Sequence, residues 1–164
     1  MKGLSGKEME MVSFLELNEK FFFTREDVRR FFRNGNEMAV YLHKLRKKGR
    51  IVRLSKTKYY LIPVKAFEGH WSEHPFIIVD ETMNGKDYYI GGSAAAHYWG
   101  FIEQIPSHIE VYTTRKSGTM EMFGFSVTFR RVRKLEGFVR RKIKGHAFLI
   151  ASRNKARKSV KQTG

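Results

Sequence analysis

Cysteine is absent from the 164 residues, so disulfides, thiolate catalysis and cysteine-ligated zinc are all closed to this chain, and its fold must rest on packing. No apolar stretch approaches the roughly 18 residues that a membrane-spanning helix needs. The opening residues MKGLSGKEMEM also lack the apolar run of a secretory signal. A cytoplasmic location without membrane association is the expectation. Acidic residues are scarce at the far end: Glu136 is the one carboxylate from residue 130 to the terminus. No internal repeat is present.

Against these absences stand 14 Phe, 41% hydrophobic residues and 14% aromatic residues, a composition that builds a core rather than a disordered chain. The net charge is +16, and its distribution is uneven. Residues 1–62 carry 15 basic and 7 acidic side chains, residues 63–129 carry 4 and 8, and residues 130–164 carry 13 and 1. Two basic ends flank an acidic middle, a field suited to a polyanion such as nucleic acid.

In residues 7–18, Met11, Val12, Phe14 and Leu15, with Phe21 beyond them, fall near one helical face opposite Lys7, Glu8, Glu10 and Glu16. After a short extended piece at 21–23, Thr24 with Asp27 three residues on forms an acidic capping box for a second helix over 25–32, which turns Val28, Phe31 and Phe32 inward. The turn Arg33-Asn34-Gly35-Asn36 breaks it, and a third helix runs from Asn36 to a stop at Gly49. Two extended runs, 50–54 and 58–62, flank the basic tip Ser55-Lys56-Thr57, and Pro63 closes the segment. Three helices and a basic-tipped hairpin are the element order of a winged helix-turn-helix domain over residues 1–63. Residues 64–75 read as a connector.

The second part, residues 76–152, reads as a small α+β domain. A helix is predicted over 76–83, a turn at Asn84-Gly85, a strand over 88–90 and an Ala-rich helix capped by Ser93 and stopped by Gly100. Strands are predicted over 109–113, 125–132, 138–143 and 147–151. Tyr98 and Trp99 are expected in the core. Residues 153–164 form a basic tail, frayed or helical only on a partner.

Met38, Tyr41, Leu42 and Leu45 stand at i, i+3, i+4 and i+7 of the third helix and face its neighbours. The opposite face then holds Asn36, Val40, His43 and Lys47, with Lys44 beside it. In helix-turn-helix docking the start of such a helix meets base edges. Asn36 suits adenine, Val40 a thymine methyl, and His43 a weaker reading contact. Lys44, Lys47, Lys48 and Arg50 suit phosphates, and Lys56 and Lys58 at the wing suit an adjacent backbone. Arg130, Arg131, Arg133, Arg140, Arg141 and Lys142 form a candidate second phosphate-contacting surface.

Catalytic patterns are weak. His70-Trp71-Ser72-Glu73-His74 matches the H-x-x-E-H zinc pattern formally, but Pro75 pushes His74 out of helical geometry. Gly91-Gly92-Ser93 lacks the spacing of a phosphate-binding P-loop and of a nucleophile elbow. Asp80, Glu81, Asp87, Glu103 and Glu110 form no paired acid/base motif. No catalytic residue, metal or cofactor is assigned, and an enzyme is not expected.

The run Tyr88-Tyr89-Ile90-Gly91-Gly92-Ser93-Ala94-Ala95-Ala96-His97-Tyr98-Trp99-Gly100, then Gln104-Ile105-Pro106, then Ile109-Glu110-Val111-Tyr112-Thr113-Thr114, resembles the AbiEi family of abortive-infection regulators, antitoxins of type IV toxin-antitoxin systems. The family pattern is Y-I-[SG]-G-x-S-A-L-x-x-x-G-L, followed by a Q-x-P turn and a strand. The resemblance implies an N-terminal winged helix-turn-helix that represses its own promoter and a C-terminal domain that opposes a nucleotidyltransferase-like toxin. It also implies that Asn36, His43, Lys44 and the wing occupy DNA-contacting positions. Family members continue past the segment resembling Ser152-Arg153-Asn154-Lys155-Ala156 into further helices. Here Arg157, Lys158 and Lys161 replace the apolar positions that would follow. The expectation is a regulator that binds double-stranded DNA, with toxin neutralisation or RNA binding as the alternatives.

Overall fold

The computed structural model describes residues 3–63, 73–122 and 124–162. They form a mixed α+β structure with two sheets, and the chain divides into two compact units, Met1–Ser72 and Glu73–Gly164. Most of the predicted connector, residues 64–72, lies outside the described residues.

In the first unit, α1 (Gly6–Leu17) starts at a complete capping box: the Ser5 hydroxyl accepts from the Glu8 N–H, and the Glu8 carboxylate accepts from the Ser5 N–H at 2.6 Å. Strand β1 (Phe22–Thr24) leads into α2 (Arg25–Val28), capped by Thr24 and Asp27 as their spacing predicts. The helix predicted over 25–32 is not continuous, because its second half tightens into a 3-10 turn, Arg29–Phe31. Helix α3 spans Gly35–Lys47. Its cap is Asn34, whose side-chain oxygen accepts the Glu37 N–H at 2.9 Å, so the helix begins one residue before the predicted Asn36. It ends as predicted at Gly49, which takes φ +71° while Gly49 and Arg50 donate back to Arg46 and Leu45. This paired closure satisfies the last carbonyls and reverses the chain.

Strands β2 (Ile51–Arg53) and β3 (Lys58–Leu61) form the hairpin, and β1 adds on the far side in the order β1-β3-β2. The extended piece at 21–23 is therefore the third strand of a sheet, with Phe23 opposite Tyr59. Met11, Val12, Leu15, Phe23, Val28, Met38, Leu42, Leu45, Ile51, Tyr59 and Leu61 make one buried cluster.

In the second unit, α4 (Pro75–Met83) ends at Asn84 in the left-handed region. A six-stranded sheet follows, built from β4 (Tyr88–Gly91), β5 (His108–Thr113), β6 (Gly118–Met122), β7 (Phe125–Arg131), β8 (Phe138–Ile143) and β9 (His146–Ala151), in the order β6-β7-β5-β4-β9-β8. Strand β6 was not predicted, because its residues GTMEM carry little β-branched or aromatic weight.

The register puts Tyr88, Ile90, Ile109, Val111, Val127, Phe129, Phe148 and Ile150 on one buried face. Helix α4 lies against it, with Phe76 5.2 Å from Phe148. The other face carries His108, Glu110, Tyr112, Ser126, Thr128 and Arg130, polar along β5 and β7. The Tyr88 hydroxyl donates to Asp80 of α4 at 2.7 Å and accepts the Leu149 N–H, while His146 reaches the other Asp80 oxygen at 2.9 Å. Burial, reinforced by the bond to Asp80, pushes the Tyr88 hydroxyl far up and keeps it neutral.

Helix α5 (Gly92–Tyr98) starts from Gly91, not from a Ser93 cap; Ser93 is exposed in its first turn. Tyr98 and Trp99 are half-buried.

Most of the predicted basic tail is a helix that packs within its own unit. Residues Arg153–Gln162 form α6, which packs on α5 through the small, buried Ala156. The ammonium of Lys155 donates to the Tyr89 hydroxyl at 2.8 Å and to the Glu136 carbonyl at 2.6 Å. A sequence almost without apolar residues is held as a helix by one alanine packed toward α5 and one lysine bonded to the sheet.

The turn between β4 and α5 has no room for side chains. Gly92 takes φ +58°, and a Cβ there would run into the Glu110 carboxylate. Gly92→Ala is expected to destabilise the second unit by about 1–3 kcal/mol, from left-handed strain together with the clash. Glu110→Ala in the same chain should recover only the clash. The denaturant midpoints of the two variants check this, and an unchanged midpoint in Gly92→Ala would contradict it.

Candidate nucleic-acid interface

Met38, Leu42 and Leu45 are buried and hold α3 in place. Asn36, Val40, His43, Lys44 and Lys47 are all exposed on it. Asn36, Val40, His43 and Lys47 follow one another at four-, three- and four-residue steps along a single stripe. Val40 is 51% exposed, an apolar side chain held in water between polar neighbours. Lys44 places its ammonium 5.2 Å from the Tyr41 ring, a contact that steadies the side chain and leaves N–H donors outward.

Two phosphate candidates are turned inward. Lys48 donates to Glu8 at 2.7 Å and to the Gly3 carbonyl at 2.9 Å, against a Glu8 side chain with no exposed surface. Arg50 has 6% of its side chain exposed and pairs with Glu16 at 3.6 Å. The chain reversal at Gly49 is the reason, since it carries the residues after α3 back toward α1. Both leave the candidate contact set.

At the hairpin tip Lys56 is exposed and Lys58 half-buried. Arg53, absent from the predicted set, is exposed beside the tip and donates to the Ser55 carbonyl at 3.0 Å. Strand alternation gave no signal for it, because Arg53 shares a face with the buried Ile51 and is exposed where the strand ends at the tip. Arg46 and Arg33 are exposed on and just before α3, Arg33 lying 3.6 Å from Glu37.

The second candidate surface does not form one patch. Arg130 is held by Glu110 through two hydrogen bonds of 3.1 and 2.9 Å. Arg131 points to the opposite face by alternation along β7, and Arg133 is exposed after that strand. Arg140 and Lys142 lie on the polar face of β8, separated from β7 by β5, β4 and β9, a spacing of roughly 19 Å. Arg141 alternates to the face that α4 packs on.

Beside α5 the polar face opens into a groove of about 680 Å³ lined by Ser93, His108, Glu110, Tyr112, Val160 and Gln162 among others. Three of its polar groups are engaged: Glu110 accepts from Arg130 and from the Tyr112 hydroxyl, and His108 Nδ1 lies 2.6 Å from Ser126 Oγ.

Of the H-x-x-E-H pattern, His70, Trp71 and Ser72 lie outside the described residues. His74 caps α4, its Nδ1 accepting the Phe76 N–H at 3.1 Å. Among the described residues no group of three or more His, Asp or Glu could hold a metal, and no helix is long and apolar enough to cross a membrane. No family model matches the chain, and no curated protein matches it.

Burial alone would push the Glu8 carboxyl up, but the hydrogen bonds from Lys48 and Ser5 outweigh it and hold the group below its ordinary value. The stability this supplies is present above the ordinary carboxylate range and is lost as pH falls through the lowered value. Lys48→Met is therefore expected to cost about 2 kcal/mol at neutral pH, the low side for a buried pair because the ammonium retains some water. The gap between variant and parent should narrow as pH falls through the carboxylate range. Denaturant midpoints across that range check it, and a gap independent of pH would show that the pair does not anchor α1 to α3.

Proposed function

We propose that the first unit is a winged helix-turn-helix and that the protein is a sequence-specific regulator binding double-stranded DNA, an autorepressor of the AbiEi type. In this reading α3 enters the major groove, and the hairpin with Lys56 and Arg53 reaches the neighbouring backbone. One observation carries it: the stripe Asn36, Val40, His43 and Lys47 stands exposed on α3 while the other side of that helix is sealed in the core. A hydrogen-bonding amide at the start of the helix, an apolar contact one turn on and cations near its end match base reading followed by phosphate anchoring. The resemblance over residues 88–114 supports the regulatory role, with a nucleotidyltransferase-like toxin as the partner to try.

Binding to the DNA upstream of the protein's own coding sequence, titrated with salt, tests this. Lys44→Ala and Lys47→Ala should each weaken binding to every duplex and flatten the salt slope by about one unit. Asn36→Ala should bring operator and random duplex closer by about tenfold, with an unchanged slope. Lys48→Ala, whose ammonium is committed to Glu8, should leave the slope alone. Equal losses on operator and random DNA for all of these changes would refute the division into reading and anchoring residues.

A further inference from the structure

Three arginines of the second unit lie against aromatic rings of the segment that follows α5. The guanidinium of Arg141, from β8, lies 4.9 Å from the centre of the Trp99 ring. Those of Arg153 and Arg157, one turn apart on α6, lie 5.5 and 5.2 Å from the Phe101 ring. The platform is fixed, because the Trp99 indole N–H donates to the Ala151 carbonyl at 2.9 Å, where β9 passes into α6. All three arginines are exposed, and among the described residues no carboxylate pairs with any of them. The one acid after residue 129, Glu136, lies 3.5 Å from Lys134.

A guanidinium stacked on a ring uses its flat face, so its in-plane N–H donors stay available. Three such groups held over rings only two residues apart in sequence concentrate positive charge on one segment, and a single carboxylate would neutralise only one of them. A tetrahedral group of several charges satisfies both the charge and the outward donors. We infer that the Arg141, Arg153 and Arg157 corner over Trp99 and Phe101 is a binding site for a multiply charged phosphate group, such as the phosphate chain of a nucleoside polyphosphate. The site lies wholly within the second unit and does not depend on the DNA-binding reading.

Calorimetric titration of the full chain with inorganic tripolyphosphate and with ATP, at about 0.15 M salt, tests it. Both probes should bind saturably. The double variant Arg153→Lys, Arg157→Lys keeps the net charge but loses the planar forks, and should weaken both by about tenfold or more. Phe101→Leu, which changes no charge, should weaken them too, and Arg141→Lys supplies a third variant should either of the others fail to fold. Equal affinity for the two probes would make the phosphate chain the whole ligand, and tighter ATP binding would add the nucleoside to it. No saturable binding of either probe, or lysine variants binding as tightly as the parent, would overturn the proposal. Loss of duplex DNA affinity in the lysine double variant, with no polyphosphate binding by the parent, would assign the corner to a nucleic-acid backbone instead and would equally overturn it.

Discussion

The burial of Met38, Leu42 and Leu45 decides what the first unit can offer a partner. A helix has one rotational setting once such a stripe is sealed, and every remaining position is then assigned to water or to a flank. With these three inside, Asn36, Val40, His43 and Lys47 have nowhere to go but out. The caps make the same choice at the ends, since Asn34 fixes where the first exposed turn begins and Gly49 fixes where the helix stops and the chain turns back. The ion pair between Lys48 and Glu8 then ties the end of α3 to the start of α1, so the exposed stripe sits on a helix anchored at its far end.

The second unit obeys a different constraint. One face of its sheet is apolar from β7 to β9, and α4 closes that face through Phe76 and the bonds that Tyr88 and His146 make to Asp80. The polar face is organised by aromatic rings: Tyr89 stacks between Tyr112 and Phe138, with centres 5.2 and 5.8 Å away. Lys155 lies 4.3 Å from the Tyr89 ring, which brings α6 onto the sheet. Gly91 and Gly92 are required where they stand because Tyr112 and Glu110 occupy the space their side chains would fill.

What the sequence made legible follows from the range of the forces involved. Caps and periodicity act within a turn or two, so the capping box at Thr24, the stop at Gly49 and the exposed stripe of α3 could all be read from local spacing. The pairing of β1 with β3 depends on a partner distant in sequence and was not visible, whereas β6 pairs with the adjacent β7 and was missed because its own residues carry little β-branched or aromatic weight. The helix at 153–162 was misjudged for a related reason: its composition argues for a solvated tail, and only contact with α5 and Tyr89 shows why it is ordered. The candidate site divides the same way, with the α3 face readable and the fates of Lys48, Arg50 and Arg130 fixed by carboxylates 40, 34 and 20 residues away.

These fates bear on how a net charge of +16 should be read. A cation paired with a carboxylate at hydrogen-bond distance presents little field to an approaching anion, and its donors are spent. A cation laid over an aromatic ring keeps both its charge and its outward donors. A solvated cation keeps them as well but must surrender side-chain freedom on binding. Lys48, Arg50 and Arg130 belong to the first kind, Lys44, Arg141, Arg153 and Arg157 to the second, and Lys47 and Lys56 to the third. A cation held over a ring combines available charge with a restricted side chain, so it is the kind best prepared to meet phosphate. In this protein such cations stand both beside the exposed stripe of α3 and at the end of α5. The total charge brings a polyanion near, and the neighbours of each cation decide where it is held.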